Sequence, residues 1–424
     1  MRFRRSSVLA AAIFLFVLGV DLSCPIVIIQ DSRWNIPVAI SLERHGDLDI
    51  EEYRDIATRE KSWSAVQVNG RLHNLFPYGA SILAAPFVAV IDVAAKYLTG
   101  TDIERLAQTE QPNALENLFG SLAVAGTAVF VFLIARTRLK RDWPAVLVAL
   151  VFAFGTTAWS VASRAYWMHG PSMLLLSAAL YLAVRGKSEG WWGVLMGALL
   201  GYAFVVRPTN CLPVAAFGIW LAFARPRGLL PYLVGVGIIG MAYVAVNLTT
   251  FGVIVPGYSQ PKRLIHAARP LEALPGLLIS PARGLLVFSP VVITALMGLV
   301  IAFRRRQLGS LDILAVCIVI GHWVMVSLYA DWWGGWSFGP RYWTDVLPFI
   351  AFLALPAVDW MTTPLTGERW VLASRISACV LAAFSIWVHA QGAFRKGPHH
   401  WNAIPRRVDD ARLWDWSDIQ FLRR

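Results

Sequence analysis

The sequence predicts an all-α protein that crosses a membrane many times. Of its 424 residues, 57% are hydrophobic and only 15% are charged, and the mean hydropathy is +0.56. Soluble domains carry about a quarter charged residues, so this deficit excludes the soluble globular class. Apolar runs near the length that a bilayer core requires, about 20 residues, recur along the whole chain. The net charge of +12 comes from short basic clusters between those runs, which favours cytoplasmic loops over nucleic-acid binding.

Eleven apolar runs are predicted as membrane spans. The first follows the basic cluster Arg2–Arg5 and is too long for the core of a signal peptide, so we expect it to stay uncleaved. From residue 136 onward, two runs separate each pair of neighbouring basic clusters, so all these clusters can be cytoplasmic. This parity predicts a cytoplasmic N-terminus and an external C-terminus. The runs cover 8–29, 116–135, 143–161, 171–184, 191–206, 208–224, 229–249, 284–303, 310–329, 342–360 and 371–390.

The segment from Ala80 to Leu98 is a twelfth apolar run, but it carries Pro86, Asp92 and Lys96. Charges are costly in lipid, so we predict an interfacial helix or re-entrant segment rather than a span. The predicted organisation is a membrane domain over 1–390 and an external tail over 391–424. Within the membrane domain, the large external loops are 30–115, with amphipathic juxtamembrane helices, and 250–283.

Asp31 is the candidate catalytic base of the first external loop. It follows the first span, where a carboxylate is partly shielded from water and can accept a proton. After it, Ile36, Ala39, Ile40 and Glu43 recur at helical spacing, which predicts a helix along the membrane surface. The structural alternative is a helix-capping or anchoring aspartate, and Asp21, inside the first span, is the rival candidate.

Six of the basic residues on the predicted external side are candidates for binding a phosphate, because basic residues are usually biased toward the cytoplasm. A lipid phosphate is a natural counter-ion for such residues at membrane depth, and arginine binds phosphate through two parallel hydrogen bonds. Arg341 could instead pair with Asp345, four residues later, on one face of a helix. The six candidate ligands of a donor phosphate are Arg164, Arg207, Lys262, Arg263, Arg283 and Arg341.

Aromatic and histidine residues in the same external segments are candidates for contacts with a sugar or its acceptor. Three tryptophans and three glycines share the stretch 332–339, which suits close approach and stacking, although an aromatic belt at the membrane surface gives the same composition. The four cysteines show no metal-ligand spacing, which argues against a disulfide framework or a zinc site. The sequence requires no cofactor and leaves a divalent cation open. These candidates are His73, Tyr78, His169, Tyr258, Trp332, Trp333 and Trp336.

In these segments the sequence resembles the GT-C membrane glycosyltransferases, which include protein O-mannosyltransferases, lipid A aminoarabinose transferases and arabinofuranosyltransferases. One departure is that the turn 162–170 lacks an acid, so no second catalytic carboxylate and no metal site carries over. The resemblance rests on Asp31 followed by IPVAISLERHGDLDIEEY, and on FPYGASILAAPF, RAYWMHGP, SPARGLLVFSP, WWGGWSFGPRYWTDVLPF and LWDWSDIQFL.

The resemblance implies the GT-C fold and an inverting transfer of a monosaccharide from a polyprenyl-phosphate donor to a hydroxyl of a protein, glycan or lipid. The donor sugar it favours is arabinofuranose or another pentose. The reaction would occur at the periplasmic face of a bacterial inner membrane, with membrane lipid as a partner and no nucleic acid. Asp31 would take the acceptor's proton while arginines stabilise the departing phosphate.

Two alternatives remain from the sequence. A transporter or flippase of lipid-linked saccharides would place charges along a path and repeat its halves, whereas no internal repeat is evident and Asp21 is a rare mid-span charge. A non-catalytic partner in envelope assembly is the other alternative.

Overall fold

The computed structural model describes residues 2–109, 111–260, 269–363, 369–403 and 410–423. Within these ranges the protein is helical apart from one short antiparallel hairpin, so the predicted all-α class is confirmed. The hairpin joins β1 (Ala65–Val68) to β2 (Arg71–Asn74), with Val68 opposite Arg71 and Ala65 opposite Asn74. Its turn is Asn69-Gly70, both at positive φ, as a tight two-residue hairpin requires.

The α-helices of the described ranges differ widely in length, from single turns to long membrane helices. They are α1 (Arg2–Ser23), α2 (Asn35–Arg44), α3 (Arg54–Arg59), α4 (Gly79–Thr99), α5 (Ile103–Thr109), α6 (Asn113–Leu139), α7 (Asp142–Phe154), α8 (His169–Val184), α9 (Trp191–Val206), α10 (Cys211–Ala224), α11 (Leu229–Phe251), α12 (Pro270–Ile279), α13 (Leu285–Phe288), α14 (Ile293–Arg304), α15 (Ser310–Ser327), α16 (Leu347–Leu353), α17 (Leu355–Thr362), α18 (Arg369–Phe394), α19 (Gly397–His400) and α20 (Asp410–Leu413).

Several of these helices can cross a membrane. By length and composition, α1, α4, α6, α11, α15 and α18 qualify, and the bent segment from Arg341 to Thr362 would be a seventh span. The other apolar helices of the described chain are shorter, with 10–17 residues. The protein is therefore a multi-pass membrane protein, while the number of eleven spans stays a prediction.

Prolines divide two of the predicted continuous runs. The helix α1 ends at Ser23, two residues before Pro25, because the residue before a proline avoids helical geometry. Asp31 therefore follows a non-helical stretch instead of standing directly at a helix end, as the sequence had predicted. The run 342–360 is likewise broken, into a 3₁₀ turn over Arg341–Val346 and two helices that meet at a 41° bend just before Pro356.

The helix α6 lies at the centre of the bundle, packed against α1, α7 and α8. Beside it, α9 and α11 pack along their length through glycines that allow the two backbones to approach closely. A Cβ atom on Gly197 would clash with the Tyr232 carbonyl oxygen, and one on Gly235 would clash with the Val194 carbonyl oxygen. These contacts make α9 a firm support for the residues that follow it, beginning with Arg207.

The segment containing α4 leaves and rejoins the bundle at the same place. At its start, the Tyr166 hydroxyl donates to the Ala80 carbonyl oxygen at 3.0 Å, and at its end Glu116 Oε2 accepts from the Tyr166 backbone N–H at 2.7 Å. In between, Asp92 of α4 pairs with Arg44 of α2 at 2.7 Å. The helix α4 thus runs beside α2, and because its length and composition also qualify it as a span, the interfacial placement stays a prediction.

Candidate active site

A cavity of about 720 Å³ opens on the Asp31 side of the bundle. Its wall combines the stretch after α1, the hairpin region, the loop after α9, the loop after α11 and the turn between α15 and α16. Its lining residues are Gln30, Asp31, Trp63, Phe76, Arg207, Pro208, Thr209, Tyr258, Tyr329, Ala330, Asp331, Gly335, Trp336, Arg341 and Tyr342.

An ion pair between Asp31 and Arg341 lies in this wall. Arg341 Nη1 donates to Asp31 Oδ2 at 2.8 Å, and the two side chains are 19% and 11% exposed for Asp31 and Arg341 respectively. The guanidinium also lies over the rings of Trp167 and Tyr342, 4.9 and 5.3 Å from their centroids. Arg341 Nε is buried and has no hydrogen-bond partner among the described residues. The pair therefore places a carboxylate and a guanidinium side by side in the cavity wall.

The stretch that carries Asp31 is held by the loop before α8. The Ile28 N–H donates to the Arg164 carbonyl oxygen at 3.0 Å, and Trp167 Nε1 donates to the Ile28 carbonyl oxygen at 2.7 Å. The Arg164 side chain is fully buried and donates to the Asp21 carbonyl oxygen at 2.7 Å, beside the Asp21 carboxylate. Arg164 was predicted as a phosphate ligand, but it lies outside the cavity wall and fixes the path of the chain toward Asp31.

Arg207 provides a second guanidinium in the wall. It pairs with Asp345 at 2.9 Å, and Asp345 also accepts from His169 Nδ1 at 3.1 Å. All three side chains are at most 6% exposed. His169, predicted to contact sugar or acceptor, therefore lies behind Arg207 rather than in the cavity wall.

The alternative pairing of Arg341 with Asp345 is wrong. Both residues belong to the 3₁₀ turn Arg341–Val346. With three residues per turn, side chains four positions apart do not share a face. Arg341 therefore turns to Asp31, and Asp345 turns to Arg207.

Arg283, another predicted phosphate ligand, also lies outside the cavity wall. Its side chain is buried, and its donors reach five acceptors at 2.7–3.1 Å: the carbonyl oxygens of Ala282, Trp333 and Gly335, and the side-chain oxygens of Asn402 and Gln420. Burial lowers the pKa of Arg283 to about 9, so the group keeps its charge at neutral pH. The remaining two predicted ligands, Lys262 and Arg263, lie outside the described residues.

Two of the predicted aromatic contacts line the cavity. Trp336 is 46% exposed, and Tyr258 stands on the opposite loop. Burial raises the pKa of Tyr258 to about 12, so its hydroxyl is protonated at neutral pH and can donate a hydrogen bond. Trp332, in contrast, is buried against Gly276, and Trp333 packs edge to face on it with centroids 6.2 Å apart. These two tryptophans support the turn from within.

His73 and Tyr78 belong to a neighbouring apolar region. Tyr78 lines a second cavity of about 440 Å³, and its hydroxyl donates to Asn247 Oδ1 at 2.9 Å. His73 packs on Phe251 with ring centroids 5.2 Å apart, and burial lowers its pKa, so it is neutral. Both residues were predicted to contact sugar or acceptor, and neither lies in the wall of the first cavity.

The structure is similar to a solved one. It is the crystal structure of ArnT from Cupriavidus metallidurans in the apo state; the two chains are 15% identical, and the match covers 99% of this chain and 74% of that one, with a TM-score of 0.49. No protein-family model matches the sequence, and no curated protein matches it.

Sequence reasoning missed part of the wall, including its second carboxylate, Asp331. This residue begins the tryptophan-rich stretch, so its position beside Trp332 was an available signal. The sequence gave no signal for Trp63 and Phe76, because aromatic residues are common near a membrane surface. A separate acidic group, Asp47, Asp49 and Glu52, has ligand spacing for a metal ion, but Arg71 already pairs with two of its members. The missed lining residues with polar or aromatic side chains are Gln30, Trp63, Phe76, Thr209, Tyr329, Asp331 and Tyr342.

Proposed function

We propose that this protein is an inverting glycosyltransferase of the GT-C type that takes a monosaccharide from a polyprenyl-phosphate donor. The observation that carries the proposal is the Asp31–Arg341 pair in the cavity wall, with Arg207 as a second guanidinium in the same wall. A carboxylate and a phosphate-binding cation at hydrogen-bond distance are the two groups that this reaction needs. The cavity also has the size of a small-molecule site, for which about 300–1,000 Å³ is usual.

The resting pair suggests how substrate binding prepares the base. When the donor phosphate enters, it takes hydrogen bonds from Arg341 and so removes that guanidinium from Asp31. Asp31 is then free to accept the proton of the acceptor hydroxyl.

The sugar transfer follows as a single displacement. The acceptor oxygen forms a bond to the anomeric carbon while the bond from that carbon to the phosphate oxygen breaks. The electron pair leaves with the polyprenyl phosphate, whose charge Arg341 and Arg207 stabilise. No general acid is required because phosphate is a good leaving group, and one displacement inverts the anomeric centre.

The finer parts of the proposal concern substrates and location. Stacking on Trp63 and Trp336 suits a sugar ring, and we propose a pentose, with arabinofuranose first. The acceptor is a hydroxyl of a protein, glycan or lipid. The reaction occurs at the periplasmic face of a bacterial inner membrane, with the N-terminus in the cytoplasm; no cofactor is required and a divalent cation is allowed.

The test is mass spectrometry of envelope glycans, lipids and surface proteins from cells that carry wild-type or Asp31→Asn protein. We expect the variant to lose one sugar mass from one acceptor, which identifies both substrates. The matched control is Asp55→Asn, the same isosteric change at an exposed position of the same loop, and it should leave the profile unchanged.

An unchanged profile with Asp31→Asn expressed at the wild-type level contradicts the proposal. Lipid movement without any acceptor would then indicate a flippase. If the protein supports neither sugar transfer nor lipid movement, the result would indicate a non-catalytic assembly partner.

A further inference from the structure

The turn between α15 and α16, residues 331–341, contributes Asp331, Gly335, Trp336 and Arg341 to the cavity wall. Up to Pro340 it has no helix or strand of its own. Buried backbone N–H and C=O groups need partners. The turn supplies some itself, such as the Gly334 N–H that donates to the Asp331 carbonyl oxygen at 2.9 Å, and side chains from elsewhere supply others. We call it the tryptophan turn.

The partners come largely from the C-terminal tail. Gln420 is fully buried and makes four hydrogen bonds: its Oε1 accepts from the Gly339 N–H and from Arg283 Nη1, and its Nε2 donates to the carbonyl oxygens of Ser337 and Pro398, all at 2.8–3.0 Å. Both hydrogens and both lone pairs of the amide are used. No shorter or apolar side chain reproduces this set.

Asn402 contacts two of the same partners as Gln420, namely Arg283 and the Ser337 carbonyl oxygen. Its Oδ1 accepts from Arg283 Nη2 at 2.7 Å, and its Nδ2 donates to the Ser337 carbonyl oxygen at 3.0 Å. Arg283 then connects the tail to the start of the turn, through the carbonyl oxygens of Trp333 and Gly335. Together, Arg283, Asn402 and Gln420 fix backbone groups at every second position: 333, 335, 337 and 339.

The opposite side of the turn faces the reactive groups. Gly334 has φ +78°, and a Cβ atom there would lie 2.9 Å from Arg341 Cγ and 3.0 Å from Arg341 Nε. The Arg341 side chain therefore lies directly against the turn on its way to Asp31. A shift of the turn moves the guanidinium.

We propose that the C-terminal tail contributes to the function of the site, with Asn402 and Gln420 as positioning residues for Arg341 and Trp336. The tail holds the turn in the conformation that binds the donor phosphate, so donor affinity depends on residues that do not touch the donor. This inference rests on the proposed role of Arg341 in phosphate binding.

The test uses the full chain in lipid nanodiscs, with undecaprenyl phosphate as the probe. For Gln420→Leu, we expect faster hydrogen exchange at the amides of 333–339 and a Kd for the probe raised at least fivefold. Asn402→Asp should stay closer to the wild type than Asn402→Leu, because a carboxylate still accepts from Arg283. Trp416→Ala, an exposed position of the same tail, should change neither quantity.

A second measurement needs no variant. In the wild-type chain, undecaprenyl phosphate should slow exchange in the turn and in the tail segments 397–403 and 414–423 together. Protection of the turn without the tail overturns the proposal, as does a Gln420→Leu chain with wild-type exchange and probe affinity. A fall in melting temperature with unchanged affinity would show a purely structural role and also overturns it.

These results separate the two proposals. If Asp31→Asn leaves the envelope profile unchanged, the proposed reaction fails, while the exchange of the turn in Gln420→Leu still reports whether the tail holds it. If the exchange is unchanged but Asp31→Asn abolishes transfer, only the positioning role fails.

Discussion

Each arginine in the cavity wall is already paired with a carboxylate, but the two pairs differ in their surroundings. Arg341 and Asp31 are both partly exposed to the cavity, so an entering phosphate can compete for the guanidinium. Arg207 and Asp345 are nearly inaccessible, and His169 adds a further donor to Asp345. Arg341 is therefore suited to exchange Asp31 for a bound phosphate. Arg207 is suited to keep its charge in a fixed position.

The first prediction concerns Arg341→Ala. Hydrogen bonds to charged groups contribute about 1.5–3 kcal/mol, so the Kd for undecaprenyl phosphate should rise about 10- to 100-fold. Asp31→Asn should bind the probe at least as tightly as the wild type, because Arg341 loses a competing partner. Binding is measured on the purified chain in nanodiscs, and equal affinity in the two variants would disprove the assigned roles.

A second prediction concerns Asp345→Asn. Removing one partner of a buried ion pair leaves the other charge uncompensated, which costs about 3–5 kcal/mol. The free energy of unfolding of the detergent-solubilised chain should fall by that amount. The matched change Asp359→Asn breaks an ion pair to Arg141 at 2.6 Å in which Asp359 is 46% exposed, and it should cost about 0–1 kcal/mol. A similar loss of unfolding free energy in both variants would show that burial does not increase the contribution of the Arg207–Asp345 pair to stability.

At the scale of elements, α4 combines the hydropathy of a membrane span with an acidic side chain that is paired inside the protein. Its composition qualifies it as a span, yet Asp92 is 7% exposed and is paired with Arg44 of α2. An aspartate in lipid would have no such partner. Tyr166 contacts both Ala80 at the start of α4 and Glu116 in the first turn of α6, so the two ends of this segment lie close together.

This path predicts the labelling of α4. In a chain with its native cysteines replaced, Tyr97→Cys should react with a membrane-impermeant maleimide from the same side as Trp63→Cys, since both positions are exposed. Arg305→Cys, in a basic cluster predicted to be cytoplasmic, should react only from the other side. Reaction of Tyr97→Cys together with Arg305→Cys would mean that α4 crosses the membrane.

Across the whole molecule, the sequence predicted the segments that line the cavity better than the individual residues that line it. The positive-inside rule singled out misplaced arginines, and two of them, Arg207 and Arg341, line the cavity. The rule cannot distinguish these from Arg164 and Arg283, because it detects a charge and not its partners. The partners of Arg283 include carbonyl and amide oxygens up to 137 positions away in the chain, which only the fold brings together.

The helices were predictable from the sequence, but the points at which they break were not. Apolar patterns predicted the membrane helices and the helix α2, since each depends on a local pattern. The predicted surface position of α2 is wrong, because its residues Asn35–Ser41 are buried. The sequence shows Pro25 and Pro356 but does not predict that the helices break there. Prolines are tolerated in membrane helices where neighbouring groups satisfy the freed backbone hydrogen bonds. The chemical roles of the lining residues stay predictions.

The pairing of Asp21 with Arg164 also has a consequence for biosynthesis. The two residues are 143 positions apart, which a ribosome covers in on the order of 10 s. During that interval the first helix carries an acidic side chain without its partner, at a cost in lipid of up to about 3 kcal/mol. We therefore expect the N-terminal helix to reach its final place only after the loop before α8, which carries Arg164, has been synthesised.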